Sequence, residues 1–79
     1  MLTKYIQAAM NHVEYEQLAD RSWFGHVIPL QGVWADATSR EECETELQAA
    51  LEDWLLFRLT NNLPIPQIDG IDLVAAKVA

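Results

Sequence analysis

The spacing of apolar residues changes period along this chain, and each change marks an element. Between Leu2 and Asn11 the side chains of Leu2, Tyr5, Ile6, Ala9 and Met10 recur at i, i+3, i+4, i+7 and i+8, the signature of one helical face. Thr3 is placed to cap the start of that helix. From Val13 the period drops to two. Val13, Tyr15 and Gln17 share one face and Glu14, Glu16 and Leu18 the other, which predicts a strand. Asp20-Arg21-Ser22 is a polar turn, and Trp23 to Ile28 is a second strand, enriched in aromatic and β-branched residues.

Pro29-Leu30-Gln31-Gly32 punctuates the second strand, because Pro29 lacks a ladder donor and Gly32 tolerates the positive φ of a tight turn. Val33 to Ala37 is a third strand. Short connections make an antiparallel meander the simplest arrangement of the three. Thr38 with Glu41 three residues on is a capping box, and Glu41, Glu42 and Glu44 suit the positive end of a helix dipole. Cys43, Leu47, Ala50, Leu51, Trp54, Leu55 and Leu59 then form a single stripe, the face this long helix lays on the sheet.

At about 1.5 Å per residue the helix spans roughly 30 Å, against about 20 Å for a six-residue strand. Its last turns therefore overhang the sheet. Leu56 and Phe57 lie off the stripe, so that end is apolar around much of its circumference and needs a cover. Asn61-Asn62 ends the helix, Pro64-Ile65-Pro66 forces extended backbone, and Asp69-Gly70 is a turn pair. Ile71 to Ala75 is a possible fourth strand. The fold class is α+β: a short N-terminal helix and a three-stranded antiparallel sheet backed by one long helix.

Composition sharpens this. Seventy-nine residues, 51% of them apolar and three of them tryptophan, make one domain, 1–79. It holds more apolar surface than so small a core readily hides, which favours a homo-oligomer or an obligate partner. The net charge of −7 opposes direct nucleic-acid binding, which depends on neutralising phosphates. A basic protein partner is compatible with it. The lone Cys43 excludes an internal disulfide and a CxxC metal pair. The N-terminus lacks a secretory apolar run, and no stretch is long enough to cross a bilayer. The expected location is cytoplasmic, with no membrane association.

The chain carries little that could do chemistry. His12 and His26 are its only histidines, and no cluster has metal-ligand spacing. Gly25, Gly32 and Gly70 do not form a phosphate loop. Glu41, Glu42, Glu44, Glu46, Glu52 and Asp53 belong mostly to a solvated helix face rather than a two-carboxylate site, although Glu41, Glu42, Glu46 and Asp53 are suited to docking a basic partner. Cys43 is placed in the core. Trp23, Trp34 and Trp54 are core or interface anchors. Trp54, Leu56, Phe57 and Leu63 are the candidate oligomer interface. No enzymatic activity and no cofactor are expected.

The order strand, Pro-x-x-Gly turn, strand, acidic helix resembles the HicB-like antitoxin family. The residues carrying the resemblance are Pro29, Gly32, Ala35, Thr38, Glu41, Glu42 and Cys43, followed by Trp54, the Leu-rich helix end and Pro64-Ile65-Pro66. It covers roughly Glu14 to Pro66. It implies a partly reduced ribonuclease H-like fold, assembly as dimers or tetramers, and neutralisation by protein contact of HicA, a small basic RNA-cleaving toxin. Family members commonly append a C-terminal DNA-binding domain, and this sequence reads as a short stand-alone member without one. Ala37 stands where the family pattern has Gly, and an N-terminal helix precedes the first strand.

Three functions stay open at this stage. The first is an antitoxin-type interaction protein. The second is a solitary oligomeric α+β binding or scaffold module. The third, ranked last, is an enzyme with residual nuclease chemistry, which would need more strand acids than Glu14, Glu16 and Asp36.

Overall fold

The computed structural model describes residues 2–73. In order they form α1 (Leu2–Met10), β1 (Val13–Gln17), β2 (Trp23–Val27), β3 (Trp34–Ala37) and α2 (Arg40–Thr60). The sheet is the expected antiparallel meander, ordered β1-β2-β3. Tyr15 pairs with Gly25 and Gly25 with Ala35, which fixes the register. α2 lies across one face of β2 and β3, and α1 packs beside α2. Among the described residues no helix is long and apolar enough to cross a membrane.

Four members of the predicted stripe of α2 form its buried line, while Ala50, Trp54 and Leu59 are half-buried beside it. Cys43, Leu47, Leu51 and Leu55 are essentially inaccessible and meet Val27, Val33 and Ala35 of the sheet side. Where α2 runs past the sheet, α1 takes over the covering role with Tyr5, Ala8 and Ala9, all buried. Two loop residues complete the core: Leu30 from the β2–β3 connection and Ile68 from beyond α2. Neither belongs to a periodic pattern.

Four local expectations need correction. The N-cap of α2 is Ser39, whose Oγ accepts from the Glu42 amide at 3.1 Å. The capping pair is thus Ser39/Glu42, one residue later than Thr38/Glu41; the Glu42 carboxylate accepts from the Thr38 hydroxyl at 2.9 Å and from the Ser39 hydroxyl at 3.2 Å. Both sites hold a cap-competent hydroxyl followed by an acid, so spacing alone did not separate them. Thr3 sits within α1, which already runs from Leu2. β2 ends at Val27, because the Val27 amide donates to the Val33 carbonyl at 3.1 Å and the chain turns there. Gly32, at φ 91°, closes that turn in the left-handed region.

The expected strand from Ile71 does not form over residues 71–73. Ile71 makes a single bridge to Ile68 across Asp69 (φ 50°) and Gly70 (φ 79°), the two positive values of a type I′ hairpin turn. The remainder of that span lies outside the described residues. The hairpin and the segment before it are tied to the N-terminal part of the chain at two points. Tyr5 donates its hydroxyl to the Pro66 carbonyl, and His12 Nε2 lies 2.9 Å from Asp69 Oδ1.

Candidate interaction surfaces

The acids of α2 fall on two neighbouring rows. Residues four or seven apart on a helix lie nearly above one another, so Glu42, Glu46 and Asp53 line one row that continues to Phe57. Glu41 lies on the adjacent row with Thr45 and Glu52. All four candidate acids are exposed. Glu41, Glu42, Thr45 and Glu46 together edge a shallow surface depression at the start of the helix. Among the described residues no lysine or arginine nitrogen comes within 4.0 Å of a carboxylate oxygen.

The candidate apolar residues do not converge on one patch. Trp54 is half-buried. Its indole faces the Gly32 turn, and the Arg58 guanidinium stacks 4.4 Å from its ring centroid. Arg58 in turn donates to the Pro64 carbonyl at 3.0 Å. Trp54 therefore anchors a hollow bounded by Ile28, Pro29, Ile65 and Pro66. Leu56 flanks a small apolar hollow of about 80 Å³ between α1 and α2, with Leu2, Ile6 and Leu59. Phe57 projects about 100° away from it around the helix. Leu56 and Phe57 are 65% and 61% exposed, the least covered large apolar side chains of α2, and Leu63 is exposed just past its end.

The groups with catalytic potential do not assemble. His12 pairs with Asp69, and His26 Nε2 lies 3.6 Å from Glu14 Oε1 on the sheet. Among the described residues no three His, Cys, Asp or Glu side chains are grouped to hold a metal ion. Cys43 is fully buried, and its thiol donates to the Ala35 carbonyl at 3.4 Å. Burial pushes its pKa up, the Asp36 and Glu46 carboxylates push the same way, and Arg40 opposes them. A thiol so placed is a packing group, not a nucleophile.

Sequence reasoning missed one surface, the side of the sheet away from α2. Trp34 faces out there, 55% exposed, while its neighbour Ala35 faces in. The alternation Trp34-Ala35-Asp36-Ala37 carried the signal, with the small residues turned toward the helix.

Comparison with known proteins places this architecture. The model of the family described as UPF0150-like matches residues 4–66. The crystal structure of TTHA0281 from Thermus thermophilus is 45% identical in sequence. It superposes with a TM-score of 0.84 over 91% of this chain and 93% of its own. A search of curated proteins gives no match. The chain belongs to the UPF0150-like family, the HicB-like, antitoxin-related fold that its sequence resembles.

Proposed function

We propose that this chain is an antitoxin-type interaction protein that binds and neutralises a small basic RNA-cleaving toxin of the HicA kind, in the cytoplasm and without catalysis of its own. Membership of the HicB-like family over residues 4–66 carries the reading. The charge supports it: twelve acids face five bases, and the exposed carboxylates of α2 give a cationic partner a field to follow. Such steering raises encounter rates more than final affinity. On this reading residues 1–79 act as one unit, with Glu41, Glu42, Glu46 and Asp53 as partner-docking acids and no nucleic acid bound directly.

Self-association belongs to the same proposal. Exposed Leu56, Phe57 and Leu63, on different sides of the end of α2, supply contacts for a dimer or tetramer, and half-buried Trp54 lies apart from them. If Phe57 is in that contact, Phe57→Glu lowers the sedimentation mass and leaves the helical circular dichroism intact. An unchanged mass removes Phe57 from the interface.

The exposure of Leu56 and Phe57 also favours a second reading, a solitary oligomeric scaffold with no toxin. Affinity recovery of the tagged chain from its native host at low salt separates the two. The antitoxin reading expects a stoichiometric small basic protein that is released at high salt, since screening weakens charge-driven contacts. Recovery of the chain alone, as a homo-oligomer, favours the scaffold.

A further inference from the structure

The two faces of the sheet are unlike. One is covered by α2. The other carries Glu14 and Glu16 of β1, Phe24 and His26 of β2, and Trp34 and Asp36 of β3, in two cross-strand rows: Glu14–His26–Trp34 and Glu16–Phe24–Asp36. Residues directly opposite in antiparallel strands project from the same face. The rings form a continuous shelf. The Phe24 centroid lies 5.8 Å from His26 and 6.1 Å from Trp34, with interplanar angles of 29° and 26°. Three carboxylates frame this shelf, and Glu14, Glu16 and Asp36 are all exposed. A row of outward aromatic rings on so small a chain is the kind of exposed apolar surface that marks a binding site.

We propose that this open face docks an arginine-bearing segment of a cationic protein. The guanidinium lies over the Trp34–Phe24–His26 shelf, and its N–H groups donate to Glu14, Glu16 or Asp36. The proposal rests on the reading that the partner is a basic protein, and it puts a specific contact on the sheet in addition to the steering acids of α2.

Arginine fits better than lysine because its plane stacks on rings while its edge pairs with carboxylates. The chain already uses this stacking internally: Arg40 sits 4.3 Å above the Tyr15 ring and Arg58 4.4 Å above Trp54. A second copy of the chain is disfavoured as occupant, since two such faces would oppose carboxylate to carboxylate at a net charge of −7 per chain. Rings also suit base stacking, but the carboxylates on both flanks repel a phosphate backbone.

Isothermal titration of the full chain with oligo-arginine and oligo-lysine peptides of equal length, at low salt, tests this. Trp34→Ala conserves charge and is expected to weaken oligo-arginine binding about tenfold, the scale of a cation–π contact, with far less effect on oligo-lysine. The triple change Glu42→Gln, Glu46→Gln, Asp53→Asn leaves the shelf intact and should keep the preference for oligo-arginine over oligo-lysine even where it weakens both; loss of that preference overturns the proposal. Glu16→Gln with Asp36→Asn keeps the rings and guards against misfolding of the tryptophan variant; it should also weaken binding. Unchanged binding by Trp34→Ala, or equal loss for both peptides, overturns the proposal.

The natural partner separates this proposal from the antitoxin reading. A toxin retained in full by Trp34→Ala overturns the shelf and leaves the antitoxin reading standing. Trp34-dependent arginine binding with no toxin recovered supports the shelf and counts against the antitoxin reading.

Discussion

Gly25 faces Cys43 of α2 at close range, and replacing it tests that packing. Gly25 lies mid-strand between Tyr15 and Ala35, outside the positive-φ residues, so alanine meets no backbone strain. Considered alone, Gly25→Ala should stabilise by about 0.5–1 kcal/mol through a less flexible unfolded chain. The new Cβ, however, would stand 3.1 Å from Tyr15 Cδ1 and 3.2 Å from Cys43 Sγ. Neither neighbour retreats freely. The Tyr15 ring lies under Arg40, and Cys43 is fixed by its bond to the Ala35 carbonyl in a fully buried position. Crowding of this sort costs about 1–3 kcal/mol, so against that gain the net expectation is a loss of about 0–2.5 kcal/mol. Cys43→Ala vacates the sulfur's space, and the double variant should be about 1 kcal/mol more stable than the sum of the singles. Urea unfolding followed by far-UV circular dichroism measures all three. A Gly25→Ala protein more stable than the parent, or single effects additive within about 0.3 kcal/mol, would refute the close approach.

Tyr5 gives a pH signature. Burial, with Asp72 adding, raises its hydroxyl to about 12 against about 10 in an unfolded chain. The fold prefers the neutral phenol, so this stability is complete below about pH 10 and is lost as pH rises toward 12, at most about 2–3 kcal/mol. Tyr5→Phe should cost about 1 kcal/mol at neutral pH and flatten the alkaline fall; an equally steep fall in the variant assigns it elsewhere, Tyr15 being the next candidate because burial raises it too. For the helix start, Ser39→Ala should cost about 1 kcal/mol in urea unfolding and Thr38→Ala clearly less; the reverse order would move the cap upstream. Cys43 should react with a disulfide reagent at pH 8 only on the timescale of unfolding, and reaction at a free-thiol rate would mean the thiol is not buried.

The helices and the meander were legible because their periods are clean. The stripe from Cys43 to Leu55 and the alternation in β1 each admit one arrangement. What stayed hidden was non-periodic or distant in sequence. Leu30 and Ile68 enter the core from connections, where no repeat announces burial. Tyr5 meets Pro66 and His12 meets Asp69 across most of the chain. The cap shifted by one residue because Thr38/Glu41 and Ser39/Glu42 are equivalent by composition. The sequence is compatible with Trp34 as either a core or an interface anchor, and its 55% exposure removes the first. Close packing of α2 requires Gly25, Ala35 and Cys43 on the inner side, and this turns Trp34 outward. The candidate acids were legible as solvent-facing, and their spacing of four and seven already divides them into two rows.

The central claim is neutralisation by contact, and the most direct test is an RNA-cleavage assay on the basic protein recovered with this chain. The account predicts that the salt-released protein cleaves RNA alone and that stoichiometric addition of the chain suppresses cleavage, with suppression fading as salt rises. A recovered partner that does not cleave RNA, or whose cleavage is unaffected by an excess of the chain, would contradict it.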